Sequence, residues 1–522
     1  MAALASARTS AARGPLLGGG VAALALTAVQ WAPLAALGPY LSRGALTQAD
    51  AALFSLEPGH LLGMALADHG GFHESMTYAG LAVLVLAVVG LLAHPRRLGF
   101  WAAAVALAAL YALGDNGPLW PLLAGVFPPL RWLRVPSRAW FVIALALPYM
   151  AGWGAHALAA GWRGGSRARL AVASLLGGGV VCGGAGALML SGQLGAETTL
   201  AALAVALAVA GVVALALAGK LSRRAVAPLL LVIALADLLW LDRTLVEGRG
   251  RDYWLDPYAD LAGYLVDAGA SRVYTPSDSL PQPVAAYWEI NLFGGVDPFQ
   301  IAAYQAMACR ATRIPCAGYA PTIPPYTGAG PVETMWAGVT PDAERMAQWH
   351  VTHTVSAFPI ESEGWALDRR IGDVYVYRNT VQPAGTMWPL RGLPAGAAAS
   401  EVALGEADAA PEAGAQFSVS VPWLPGWRAR AELGAAVDVQ PGPDALTYVR
   451  ATGADGDAAS PSLTLDYAPA AEYAGVAISA AALIVCAALW WRRPRFGRRG
   501  AQGQTSPEAS TGASTEAFTE ER

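Results

Sequence analysis

Residues 199–219 read Thr-Leu-Ala-Ala-Leu-Ala-Val-Ala-Leu-Ala-Val-Ala-Gly-Val-Val-Ala-Leu-Ala-Leu-Ala-Gly, a run without one charged side chain. An α-helix rises about 1.5 Å per residue, so this run is as long as the hydrocarbon core of a bilayer is thick. Working outward from it, seven more segments meet the same test: roughly 15–37, 77–93, 98–114, 139–161, 170–190, 225–241 and 472–491, of which 77–93 and 98–114 are short. The 522 residues are 55% hydrophobic and 14% charged, and the mean hydropathy is +0.39, which excludes a single soluble globule. The expected fold is a polytopic α-helical membrane protein of about eight spans. Net charge is −4, so no basic excess points to nucleic acid.

Loops rich in Arg and Lys stay on the cytoplasmic side. Arg8 and Arg13 precede the first span, Arg96 and Arg97 join spans 2 and 3, and Arg163, Arg167 and Arg169 join spans 4 and 5. Lys220, Arg223 and Arg224 join spans 6 and 7, and Arg492, Arg493, Arg495, Arg498 and Arg499 follow span 8. Threading eight spans puts every cluster on one side. Both termini are then cytoplasmic, and 38–76, 115–138, 191–198 and 242–471 face outward. A cleaved signal peptide is the competing reading of span 1, disfavoured because its apolar run is long for one.

The chain divides into a membrane domain at 1–242, an outward-facing mixed α/β portion at 243–379, a β-sandwich at 380–471, a last span at 472–491 and a tail at 492–522. Val374-Tyr375-Val376-Tyr377 reads as a strand. Phe417, Val419, Val421 and Trp423 alternate before the Pro425-Gly426 turn, and Leu463, Leu465 and Tyr467 alternate likewise. The tail is rich in Ser, Thr, Glu, Gly and Ala and has too few apolar residues to bury a core, so disorder is expected there. Of the four cysteines, Cys182 and Cys486 lie in spans, whereas Cys309 and Cys316 share an outward segment. An oxidising exterior and this short separation predict a Cys309–Cys316 disulfide.

Several short motifs, in chain order, resemble those of the YfhO-type bacterial membrane proteins, which are grouped with the GT-C glycosyltransferases. They are Gly114-Asp115-Asn116-Gly117-Pro118-Leu119-Trp120, then Arg134-Val135-Pro136-Ser137-Arg138, then Gly295-Val296-Asp297-Pro298 with Tyr304. Val376-Tyr377-Arg378-Asn379 and Pro425-Gly426-Trp427-Arg428-Ala429 complete the set. The similarity corresponds to the later part of the family pattern; the opening spans, whose first outer loop carries the acid expected to act as base, have no counterpart. Glu432-Leu433-Gly434 also stands where the family often has Asp-Gly.

The resemblance implies a protein of the bacterial cytoplasmic membrane that moves a sugar from a polyprenyl-phosphate donor to a cell-envelope glycan. Such a reaction needs a base for the acceptor hydroxyl and a cationic site for the departing phosphate. Arg131, Arg134 and Arg138, beside Asp115 and against the positive-inside trend, are the expected phosphate site, because guanidinium forks match phosphate oxygens; anchoring at lipid headgroups is the plainer role. Glu74 is the best available candidate for the base. Its neighbours in Asp68-His69-x3-His73 suggest a divalent cation, although Gly70-Gly71 argues against the helix that would align them. No cofactor is otherwise expected. Asp237 and Gln30 are polar residues inside spans; the first is a site candidate or snorkels to the interface, the second is expected in helix packing. Trp336, Trp349, Trp365, Trp388, Trp423 and Trp427 belong to a β-rich core or stack on sugar rings. The missing opening is expected on a neighbouring partner chain or upstream. The competing reading is a non-catalytic membrane protein whose outer domain binds glycan or a partner enzyme, and a transporter ranks third because the spans carry so few polar residues.

Overall fold

The computed structural model describes residues 10–67, 73–161, 184–186, 188–189, 192, 195–246, 248–316, 318–326, 330–382, 387–388, 401–404, 416–431, 436–452 and 463–491. The long apolar runs are helices. Helix α1 (Ser10–Leu26) meets α2 (Ala28–Leu37) at a bend of 66°, the geometry of a broken span or of a re-entrant loop. Helices α3 (Leu81–Ala93) and α4 (Pro95–Ala112) are followed by the eight-residue α5 (Leu119–Val126). Then come α6 (Trp140–Ala159), α7 (Ala196–Leu217) and α8 (Arg223–Leu245). Of these, α6 with the turn before it, α7 and α8 are long and apolar enough to cross a membrane, as is the last helix at Ala470–Trp491; α3, with 13 residues, is short. Among the described residues, then, four helices meet the test, or five with the bent pair, and the span expected at 170–190 lies mostly outside them.

The membrane core is built from α3, α4, α6, α7 and α8, with Leu86, Val89, Leu98, Ile143, Leu147, Val209, Val213 and Leu230 buried together. Leu200 and Leu207, seven residues apart on one face of α7, are exposed, as befits a helix whose outer side meets lipid rather than water.

The long polar segment folds from a different pattern, period 2 in place of unbroken apolar runs. Its first part carries helices α9 (Ala259–Asp267), α10 (Ala302–Thr312) and α11 (Ala343–Gln348). They accompany a sheet of β1 (Arg272–Tyr274), β4 (Val351–Ser356), β5 (Trp365–Ile371) and β6 (Val374–Asn379) in the order β1-β4-β6-β5, with β1 parallel to β4 and the rest antiparallel. Strands β2 (Gly295–Val296) and β3 (Thr322–Ile323) form a separate pair. The second part holds two small sheets. One is β10-β13-β8, from Trp427–Ala431, Leu463–Tyr467 and Glu401–Leu404; the other is β11-β12-β9-β7, from Ala436–Pro441, Leu446–Thr452, Gln416–Pro422 and Met387–Trp388. All pairs in these two sheets are antiparallel except β7 with β9, an edge pair that alternation alone does not orient.

The α/β part and the sheets after it are tied together. Arg272 Nη1 donates to the carbonyls of Trp349 (2.9 Å) and Ser420 (3.0 Å), Arg310 pairs with Asp444 at 2.7 Å, and Leu446 joins the core around Trp349 and Met307.

Helix α12 (Ala470–Trp491) packs with α1 and α2, where Ser479 Oγ accepts from Val29 N at 2.9 Å. A Cβ on Gly475 would lie 2.6 Å from the Ala28 carbonyl oxygen, so glycine is what permits this approach. The tail at 492–522 lies outside the described residues.

Candidate functional site

The turn between α4 and α6 closes on the segment around residue 55. Gly114 has φ +50°, and a Cβ there would fall 1.8 Å from Ser55 Oγ and 3.1 Å from Pro136 Cγ, so only glycine lets these segments meet. Val135 is left-handed at φ +63°, an unfavourable setting for a β-branched residue, and is held there by its N–H on the Ala51 carbonyl (3.1 Å) and by burial. That strained corner separates the two arginines flanking it.

Arg134 Nε donates to the Asp50 carbonyl at 3.2 Å, and its guanidinium lies 4.3 Å from the Tyr319 ring centroid. Arg138 grips Glu74 with two nitrogens, Nη2 at 2.5 Å and Nε at 3.2 Å from Oε1, although two-thirds of its own side chain is exposed. A third arginine, Arg43, joins them. Its Nη2 donates to the Trp132 carbonyl at 2.6 Å and its guanidinium lies 5.0 Å from the Phe299 ring. Burial pushes the Arg43 guanidinium down from its ordinary value; Tyr319 opposes this, and the charges of Arg134 and Arg138 add to it. Arg131 Nε is buried with no hydrogen-bond partner among the described residues. Among the described residues one carboxylate, Glu74, forms an ion pair with the cluster, fewer than its guanidinium groups. Asp50 accepts at Oδ2 from the hydroxyl (2.6 Å) and N–H (2.9 Å) of Thr47 and forms no ion pair with these arginines among the described residues.

Sequence reasoning missed Arg43, which stands in no motif; its only signal was a lone cation in the same stretch as Asp50 and Glu74. Asp115, expected beside the arginines, instead accepts from Gln48 Nε2 at 3.3 Å while its N–H donates to Ser55 Oγ. Asp115 thus positions loops. Gln30, expected in helix packing, is exposed in the first turn of α2. Cys309 and Cys316 are joined in a disulfide with 5.8 Å between their Cα atoms. Among the described residues no group of three or more His, Cys, Asp or Glu side chains is placed to hold a metal ion; Asp68 and His69 lie outside those residues.

Asp237 is 5% exposed and has a definite task. Its Oδ2 accepts from Leu81 N at 2.9 Å and its Oδ1 from the Tyr78 hydroxyl, so a carboxylate from α8 caps the N-terminus of α3. Gly80, at φ +88°, gives the chain the turn that presents that end. Beside this pair lies a cavity of about 370 Å³ lined by Tyr78, Asp237, Trp240, an alanine-rich face of α7 and Val232, Ile233 and Ala236 of α8.

In the polar domain the motif residues are structural. Tyr304 donates to the Phe293 carbonyl at 2.6 Å and packs against Trp349 at 4.8 Å; burial pushes its phenol up to about 12. Asn379 Nδ2 bonds the carbonyls of Ala343 and Val351. Trp427 Nε1 bonds the Pro422 carbonyl, and its ring meets Tyr467 edge-on at 5.1 Å. Trp349 and Trp365 are core residues, while Trp336 lines a cavity of about 410 Å³ with Thr275, Asp278, Gln282 and Tyr326. Compared with family models, with curated proteins and with solved structures, the chain matches none.

Proposed function

We propose that this chain is an integral membrane protein that recognises the phosphate of a polyprenyl-phosphate-linked sugar at the Arg43, Arg131, Arg134 and Arg138 cluster, in the manner of a GT-C-like glycosyltransferase acting on a cell-envelope glycan. The supporting observation is the excess of guanidinium charge that Arg43, from one loop, and Arg134 and Arg138, from another, bring together near Tyr319. Arg134 and Arg138 supply the guanidinium forks for the phosphate oxygens, and Arg43 and Arg131 add to the field around them. Replacing Arg134 by Lys keeps the charge and loses the fork. Binding of a polyprenyl phosphate to purified protein should weaken in Arg134→Lys and further in the Arg134→Ala, Arg138→Ala double variant. Equal binding by wild type and the double variant, with normal insertion, would leave only an anchoring role.

A second reading, a non-catalytic protein that binds the lipid-linked sugar or a partner enzyme, is favoured by one observation. Glu74, the acid paired with the cluster, has both carboxylate oxygens engaged by Arg138 and so presents neither freely to an acceptor hydroxyl. Glycosyl transfer by the purified chain that survives Glu74→Gln would remove Glu74 from the role; the absence of any transfer alongside retained phosphate binding favours this reading.

The topology that goes with both has about eight spans, with 242–471 outside and both termini in the cytoplasm, and rests on the common side of the five Arg and Lys clusters. A cysteine placed at 400 should be labelled in intact cells and one placed at 165 should not.

A further inference from the structure

The segment 117–130, Gly-Pro-Leu-Trp-Pro-Leu-Leu-Ala-Gly-Val-Phe-Pro-Pro-Leu, contains no charged residue, yet it lies in a loop region between two membrane helices and includes helix α5. One side of α5 is buried: Trp120 and Ala124, four apart, pack on Ala51, Ala52 and Tyr111. The opposite side is just as apolar and is uncovered. Leu122 is 64% exposed, Val126 77% and Phe127 60%, and Leu133 beyond the helix is 64% exposed. A helix apolar all round that buries only half its surface has a second apolar surrounding.

We infer that this second surrounding is the membrane interface, with α5 lying on the bilayer as an interfacial helix that seats Leu122, Val126, Phe127 and Leu133 among acyl chains. The helix starts seven residues after α4 ends at Ala112, and the candidate span Pro136–Ala159 begins three residues after Leu133, so the exposed residues directly precede a segment long and apolar enough to enter lipid. Its polar border is cationic: Arg131, Arg134 and Arg138 follow directly in sequence, and Arg43 bonds the Trp132 carbonyl. Apolar residues on one side with guanidinium groups at the rim match an anionic phospholipid surface, with acyl chains beneath phosphate, at a depth of about 5 to 10 Å for an interfacial helix. This placement stands whether or not the arginines select a lipid-linked sugar, because it needs only the apolar face and its charged rim.

Spin labels at Leu122→Cys, Val126→Cys, Phe127→Cys and Leu133→Cys, in a Cys182→Ser, Cys486→Ser background, test it in vesicles of phosphatidylethanolamine and phosphatidylglycerol. Asp373→Cys, in a turn of the polar domain, serves as the aqueous reference. The expected result is an accessibility ratio of oxygen to a nickel chelate several-fold higher at the four positions than at 373. Leu133 lies outside α5, so it reports even where a label within the helix disturbs it. Nickel accessibility equal to that at 373 overturns the inference, and so does shielding from both reagents with spin–spin broadening, which would mean that a second protein surface covers this face.

Discussion

Gly90 of α3 and Gly154 of α6 face each other at the point where the two helix backbones come closest. A Cβ on Gly154 would sit 2.0 Å from the Leu86 carbonyl oxygen and 3.0 Å from Gly90 N; a Cβ on Gly90 would sit 2.3 Å from the Met150 carbonyl oxygen and 2.9 Å from Gly154 N. The obstructing atoms are backbone, so no rotamer change relieves them and the helices themselves would have to part. Helix pairs in lipid associate by close packing rather than by exclusion of water, which makes the loss of this approach costly.

Gly154→Ala should therefore destabilise the membrane domain by about 1 to 3 kcal/mol. Gly152→Ala and Gly99→Ala, where nothing lies within 4 Å of the added atom, should be neutral. Thermal unfolding in detergent compares them, and a Gly154→Ala protein as stable as Gly152→Ala would contradict the geometry.

Asp237→Ala removes the cap of α3, leaving the Tyr78 hydroxyl without its acceptor and Leu81 N with only the Tyr78 oxygen at 3.3 Å. A loss of about 1 to 2 kcal/mol is expected from the cap alone. Asp237→Asn, which keeps an acceptor oxygen, should retain much of that stability. If the Asn and Ala variants unfold at the same temperature, the cap is not what this carboxylate supplies.

His350 gives the polar domain a pH dependence. Burial, with the Arg272 charge nearby, lowers its imidazole from 6.5 to about 4. Between those values the unfolded chain binds the proton and the folded one does not, so stability falls as pH drops from about 6.5 toward about 4, by on the order of 2 kcal/mol after discounting for partial exposure. Burial lowers His353 in the same direction. His350 sits at φ +55°, where asparagine is well tolerated, so His350→Asn should flatten part of this slope without straining the backbone. An unchanged slope in stability measured from pH 7 to 4.5 would remove His350 as its source.

The Cys309–Cys316 bond closes a short loop at the end of α10. By the loop-entropy relation it contributes about 2 to 3 kcal/mol. Its local placement suggests that reduction loosens the turn rather than the whole domain. Hydrogen exchange after mild reduction should rise first at residues 309–316; faster exchange throughout β4 and β6 with no change in the turn would be the contrary result.

Hydropathy over a contiguous run is a local property, and the lipid requirement it answers is equally local, so the apolar helices were legible from residues 199–219 outward. The same holds for strands such as Val374–Asn379 and Leu463–Tyr467, where period-2 alternation faces one side toward a core, and for a disulfide between cysteines seven apart. What tertiary structure alone decided are pairings between distant positions. Asp237 caps a helix that begins 156 residues earlier, and Arg138 meets Glu74 across 64 residues. Arg43 enters the arginine cluster from a segment with no motif, and Gly90 matters only because Gly154 stands opposite. No window of sequence contains both members of such a pair. The free energy that selects each one, a cap on bare N–H groups, a charge brought beside a charge or a backbone approach only glycine permits, exists only after the chain has brought them together.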